Sequence, residues 1–125
     1  MRVIIAVAAA SALGGLARYL IGGVIANRSS GAFPWETFLV NITGAFVLGF
    51  LFTLFSDRLV VEPWLRTALL VGLLGSYTTF STWTLESYRL IEDGAHAYAL
   101  VNLLGSLVAG VLATYAGVVL GRVAA

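Results

Sequence analysis

Three long runs of this chain carry no charged residue: 37–56, 67–85 and 94–121. At 20, 19 and 28 residues, each reaches or nears the roughly 20 apolar residues a helix needs to cross ~30 Å of hydrocarbon. A fourth apolar region, 3–26, is interrupted by one charge, Arg18. As a helix it is ~36 Å long at ~1.5 Å per residue, with Arg18 about two turns from its C-terminal end, where a long cationic side chain snorkels or faces water. The expectation is an all-α integral membrane protein, one domain over 1–125, with four transmembrane helices at about 3–26, 35–55, 65–87 and 97–120. Short connections at 27–31, 56–58 and 92–94 join them.

Composition excludes the main soluble alternatives. Apolar residues make up 60% of the chain and charged residues 10%, with mean hydropathy +0.98. Soluble domains run nearer 45–50% and about 25%, and a small globule cannot hide so much apolar surface from water. All seven basic residues are Arg, against six acids, for a net charge of +1. Such a chain has no basic field for nucleic acid. Cysteine is absent and His96 is the lone histidine, so disulfides, thiol chemistry and a Cys/His metal cluster are excluded. No nucleophile–base pair is visible, and an enzyme is not expected.

The N-terminus permits a second reading. Arg2, the apolar run 3–9 and Ala10-Ser11-Ala12 resemble a signal peptide with its cleavage site. The apolar pattern continues through Leu13, Leu16, Leu20 and Ile25, which favours an uncleaved first helix. Four spans put both termini on one side, with Arg2, Arg58, Arg66 and Arg122 there and Arg28 and Arg89 opposite. Four against two is a weak bias under the positive-inside rule and fixes no orientation.

Small residues recur every fourth position: Ala6, Ala10, Gly14, Arg18 and Gly22 (the Arg excepted) in the first span; Asn41, Ala45, Gly49 and Thr53 in the second. The fourth has Gly105, Ala109, Ala113, Gly117 and Gly121. Such ridges let helix backbones approach closely in lipid. They serve packing within one chain and a subunit interface equally well.

Polar chemistry collects in the third span. Six of the ten residues 75–84 are Ser or Thr. Gly75 followed by hydroxylated and β-branched residues puts a continuous helix under pressure. A break would free carbonyls around 75–78, which can coordinate a cation such as Na⁺. An unbroken helix with Ser and Thr back-bonded to its own carbonyls is the alternative. Elsewhere, Tyr98, Asn102 and Ser106 share one helical face at i, i+4, i+8, and Thr37 precedes Asn41 by one turn. Phe80 and Trp83 stand at i, i+3, where an aromatic edge can meet an anion.

The run 72–83, Gly-Leu-Leu-Gly-Ser-Tyr-Thr-Thr-Phe-Ser-Thr-Trp, resembles the G-x-x-G-G-x-T-T-F-S-T-F signature of the Fluc/CrcB fluoride channels. Gly14-x-x-x-Arg18-Tyr19, Pro34-x-x-Thr37-x-x-x-Asn41 and 102–106, Asn-Leu-Leu-Gly-Ser, resemble further family elements in order and spacing. The resemblance spans the whole chain. Three positions depart from it: Glu36 and Ser76 replace glycines, and Trp83 replaces a phenylalanine.

The resemblance implies an antiparallel, dual-topology homodimer in the plasma membrane (a bacterial or archaeal inner membrane), with two fluoride pores and a central structural Na⁺. It implies passive export of fluoride. By position, Gly75 and Thr78 would give backbone carbonyls to Na⁺, Asn41 an amide N–H to fluoride, and Phe80 and Trp83 their rings. Ser81, Thr82 and Thr37 fit a hydroxyl track, Tyr98 and Ser106 the pore lining, and Arg18 a vestibule. Two other classes remain open: a proton-coupled small multidrug exporter, which needs a glutamate in a first helix that here holds only Arg18, and a non-transporting assembly subunit.

Overall fold

The computed structural model describes residues 1–57 and 59–124. Arg58, counted above on one membrane face, lies outside the described residues. Among them the chain is helical without strands. α1 is Arg2–Arg28 and α2 is Trp35–Asp57. α3 covers 63–77 as three merged pieces, Pro63–Thr67, the π-helical Ala68–Leu74 and Gly75–Tyr77. α4 is Phe80–Glu92. α5 is His96–Val123, with a π-helical turn at Val101–Gly105.

Local signals set the boundaries. Pro63 opens α3 at its first turn, where its missing N–H is no loss. Gly94, at φ 73°, closes α4. The Ala95 N–H donates to the Leu90 carbonyl at 2.8 Å and the Gly94 N–H to that of Ile91 at 3.1 Å. This paired arrangement satisfies the last carbonyls of the helix and turns the chain into α5.

α1, α2 and α5 are each long and apolar enough to cross a membrane. The segment 63–92 is divided into shorter helices by Thr78 and Thr79. The outside of the chain is strongly apolar, and polar side chains are buried beside apolar ones such as Val40, Leu74 and Leu90. Leu16, Leu20, Leu107, Val108, Val111 and Leu112 are exposed, whereas Thr37, Thr53, Ser87 and Asn102 are buried. That arrangement suits a surface facing lipid or another subunit and an interior held in part by hydrogen bonds.

The most extensive contacts join α2 to α5, and after them α1 to α3. Small residues make both possible. A side chain on Gly14 would run into the Leu73 carbonyl and Ser76 Oγ, and one on Gly117 into the Phe46 carbonyl on α2. Ser76 Oγ fills the space beside Gly14 and donates to the Ser11 carbonyl at 2.9 Å, tying α3 to α1. These parts of the small-residue ridges are therefore used inside one chain.

Candidate functional site at the interrupted segment

The helical path is interrupted at Thr78 and Thr79, and Gly75 itself stays helical, at φ −63° and ψ −32°. Thr78 (φ −82°, ψ 161°) and Thr79 (φ −147°, ψ 122°) are extended. Two adjacent β-branched residues favour that conformation. Thr79 also caps the helix that follows, its Oγ1 accepting from the Thr82 N–H at 3.3 Å.

Each backbone group freed by a break inside an apolar bundle needs a partner. Asn41 supplies two. Its Oδ1 accepts from the Thr79 N–H at 2.8 Å, and its Nδ2 donates to the Thr79 carbonyl at 3.0 Å. α2 comes close enough because Gly44, one turn after Asn41, faces Tyr77 and Thr78 without a side chain. The hydroxyls of Thr43 and Tyr77, 2.9 Å apart, add a second tie.

This bonding determines which carbonyls are released. In a continuous helix the Thr79 N–H would donate to Gly75 and the Thr82 N–H to Thr78. The first goes instead to Asn41 and the second to Thr79 Oγ1. The Gly75 and Thr78 carbonyls thus lose their helical donors, and both residues line one open hollow of about 340 Å³. Among the described residues no group of three or more His, Cys, Asp or Glu side chains could hold a metal. A hard cation here would have to use such oxygens.

Asn41, Phe80, Trp83 and Ser106 line the same hollow. Phe80 is 74% exposed, its ring centroid 5.4 Å from that of Trp83. The Trp83 indole N–H donates to the Asn102 carbonyl at 2.9 Å, a bond phenylalanine cannot make. Asn102 is fully buried, its amide donating to Ser87 Oγ at 2.9 Å. Ser87 Oγ in turn donates to the Trp83 carbonyl at 2.8 Å. Trp83, Ser87 and Asn102 thus form a closed loop of bonds between α4 and α5.

The other expected residues separate. Arg18, Thr37 and Thr82 meet in a second hollow of about 200 Å³, and Thr79 lines both hollows. Thr37 Oγ1 donates to Glu86 Oε1 at 2.8 Å, while Glu86 Oε2 is buried without a partner. Tyr98 stands apart with Phe33, at 6.2 Å between centroids. The π-turn at Val101–Gly105 lies between Tyr98 and Ser106, and Ser106 Oγ donates to Asn102 Oδ1 at 3.4 Å. Ser81 is exposed, and its carbonyl accepts from Thr84 Oγ1 at 3.0 Å.

Sequence reasoning passed over Thr79 and Glu86 as site residues. A threonine such as Thr79 ahead of a helix is a legible N-cap candidate. Glu86, the first acid after the charge-free run 67–85, was visible as the point where that run ends.

Residues 5–118 match the family model described as CrcB-like protein, Camphor Resistance (CrcB). The chain belongs to the CrcB family. It is similar to proteins named fluoride-specific ion channel FluC from several bacteria. The Magnetococcus marinus protein is 45% identical over 116 residues, 93% of this chain and 94% of that protein. The Desulforapulum autotrophicum protein is 47% identical over 93% of each chain. The Aquifex aeolicus protein is 40% identical over 98% of each. Membership of the CrcB family and the apolar helices make this a multi-pass integral protein of the plasma membrane. Its CrcB relatives are named as channels, and it is not an enzyme.

Proposed function

We propose that this chain forms a fluoride-selective passive channel that exports fluoride. Near-full-length identity to relatives named fluoride-specific channels carries the reading. In it, the segment 63–92 is a fourth span broken at Thr78 and Thr79, and two copies assemble antiparallel. Fluoride is compact and strongly hydrated, so a path must replace its water with donors. The second Nδ2 hydrogen of Asn41, the exposed edge of Phe80, and the hydroxyls of Thr82 and Ser81 suit that task, with Trp83 beside Phe80; the hydroxyls of Thr37 and Ser106 line the path but already donate to Glu86 and Asn102. Tyr98 belongs to the outer lining and Arg18 to the vestibule. None of these donors is a fixed cation that would trap the ion, and conduction needs binding that also releases.

The released Gly75 and Thr78 carbonyls support a structural Na⁺ between the two copies. Bound there, sodium would supply fixed positive charge that joins the subunits. Everything else at the break is done by this chain's own groups: Asn41 holds the Thr79 peptide, Thr79 caps α4, and Gly44 lets α2 approach.

Fluoride efflux from liposomes containing the purified full-length chain tests the reading. Rapid efflux, with chloride retained, is expected. Absence of efflux favours an assembly subunit, and fluoride movement only against a proton gradient favours a coupled exporter. The absence of acid from α1 argues against the exporter.

A further inference from the structure

The hollow beside Thr79 brings together two opposite charges that the break itself does not require. Arg18 reaches it from α1 and Glu36 from the first turn of α2. A carboxylate is favoured there by the unpaired N–H groups of the helix start. Gly22 then accommodates it. A Cβ on Gly22 would lie 2.5 Å from Glu36 Oε1 and 3.0 Å from its Cδ, so the carboxylate rests against bare α1 backbone one turn beyond Arg18. Glu36 also repels Glu86, whose carboxylate Thr37 engages across the same region. A mouth lined by Arg18 and threonine hydroxyls alone would draw anions strongly. Glu36 stands at one of the positions where this chain departs from the glycine of the family pattern.

We infer that Glu36 sets the electrostatic potential of this mouth, offsetting Arg18 and holding down the rate at which anions are captured. Its effect on fluoride flux rests on the channel reading; its effect on the hollow does not. Charges at a narrow entrance act on capture more than on the chemistry beyond it. The effect is therefore common to all small anions and fades as salt screens it.

The chain contains no cysteine, so Tyr19→Cys places a single thiol in this hollow. Gly15→Cys gives a second position, since nothing lies within 4 Å of a side chain there. In liposomes holding the full-length protein, the rate of labelling by an anionic thiosulfonate reagent is divided by that for a cationic one. At about 0.01 M salt, Glu36→Gln should raise this ratio roughly threefold and Arg18→Gln should lower it, whereas Glu36→Asp should leave it near the parent value. Both changes should collapse at about 1 M salt, where screening acts within ~3 Å. Fluoride efflux through Glu36→Gln should rise at low salt in the same proportion. A ratio unmoved by Glu36→Gln, or a change that persists at high salt, overturns the inference. A shifted ratio with no fluoride efflux from the parent protein supports it and overturns the channel reading instead.

Discussion

Asn41 holds the peptide of Thr79 at both ends, accepting from its N–H at 2.8 Å and donating to its carbonyl at 3.0 Å. One amide thus replaces the helical partner of the Thr79 N–H and adds a bond to the carbonyl that begins α4. An aspartate would keep the acceptor, lose the donor and add a charge. Asn41→Asp should abolish fluoride efflux and cost about 0.5–1.5 kcal/mol through the lost amide bond to the Thr79 carbonyl. Efflux from liposomes and thermal unfolding in detergent check the two effects separately. Near-parental efflux from an intact Asn41→Asp assembly would remove Asn41 from the ion path.

Phe80 is largely exposed on the hollow, so its substitution should not disturb the fold. Phe80→Ile keeps an apolar side chain and removes the electropositive ring edge that can meet an anion. Efflux should fall about tenfold while the melting temperature stays within a degree or two. Unchanged efflux would move the anion contact elsewhere.

Trp83→Phe restores the ring of the family pattern but deletes the indole donor to the Asn102 carbonyl. The variant should still pass fluoride, with stability lowered by about 1 kcal/mol. Thermal melts alongside efflux report the two outcomes. If efflux collapsed while stability held, the indole itself would be part of the path.

Gly14 and Gly15 are adjacent yet face different surroundings. A Cβ on Gly14 meets the backbone of Leu73; one on Gly15 meets nothing within 4 Å. Gly14→Ala should destabilise by about 1–3 kcal/mol, the usual cost of overpacking, while Gly15→Ala should be neutral or slightly stabilising as helix propensity improves. Equal melting temperatures would refute the close approach of α1 and α3.

A Cβ on Gly75 also meets nothing within 4 Å in a single chain. Gly75→Val should therefore leave the individual chain folded, and a penalty would report on a second copy or a bound cation. Raising sodium at constant ionic strength should shift the parent toward dimer by mass action; Gly75→Val should lose that response and Thr78→Ser should keep it. Dimer fraction by crosslinking across a sodium series measures this. A parent dimer indifferent to sodium defeats the cation proposal.

The apolar helices were legible because 37–56 and 94–121 are long, charge-free and unpunctuated, and hydropathy alone identifies such segments. The crowding of Ser and Thr after Gly75 pointed to the right neighbourhood for the interruption. Its position, three residues later, depends on Asn41 reaching across from another helix, and no local signal in 75–84 records that partner. Around Tyr98, Asn102 and Ser106, counting by four assumes uniform α-helix and does not register the π-turn at Val101–Gly105. Trp83 read as a departure from a motif; its indole N–H turned out to have a specific acceptor on α5. Whether the small-residue ridges served one chain or two was open, and the contacts of Gly14 and Gly117 account for those positions within one.

Because Asn41 and Gly44 belong to the same polypeptide as Thr79, the unwound turn is complete in a single copy. Nothing has to be pulled out of a helix when two chains meet or when an ion arrives. In the proposed dimer, the conformational cost of exposing the Gly75 and Thr78 carbonyls would be met while each copy folds, so association would start from ready-made surfaces. On that proposal, mutations that weaken the Asn41 clamp should slow dimer assembly as well as loosen the dimer, since each encounter would then have to wait for the turn to open.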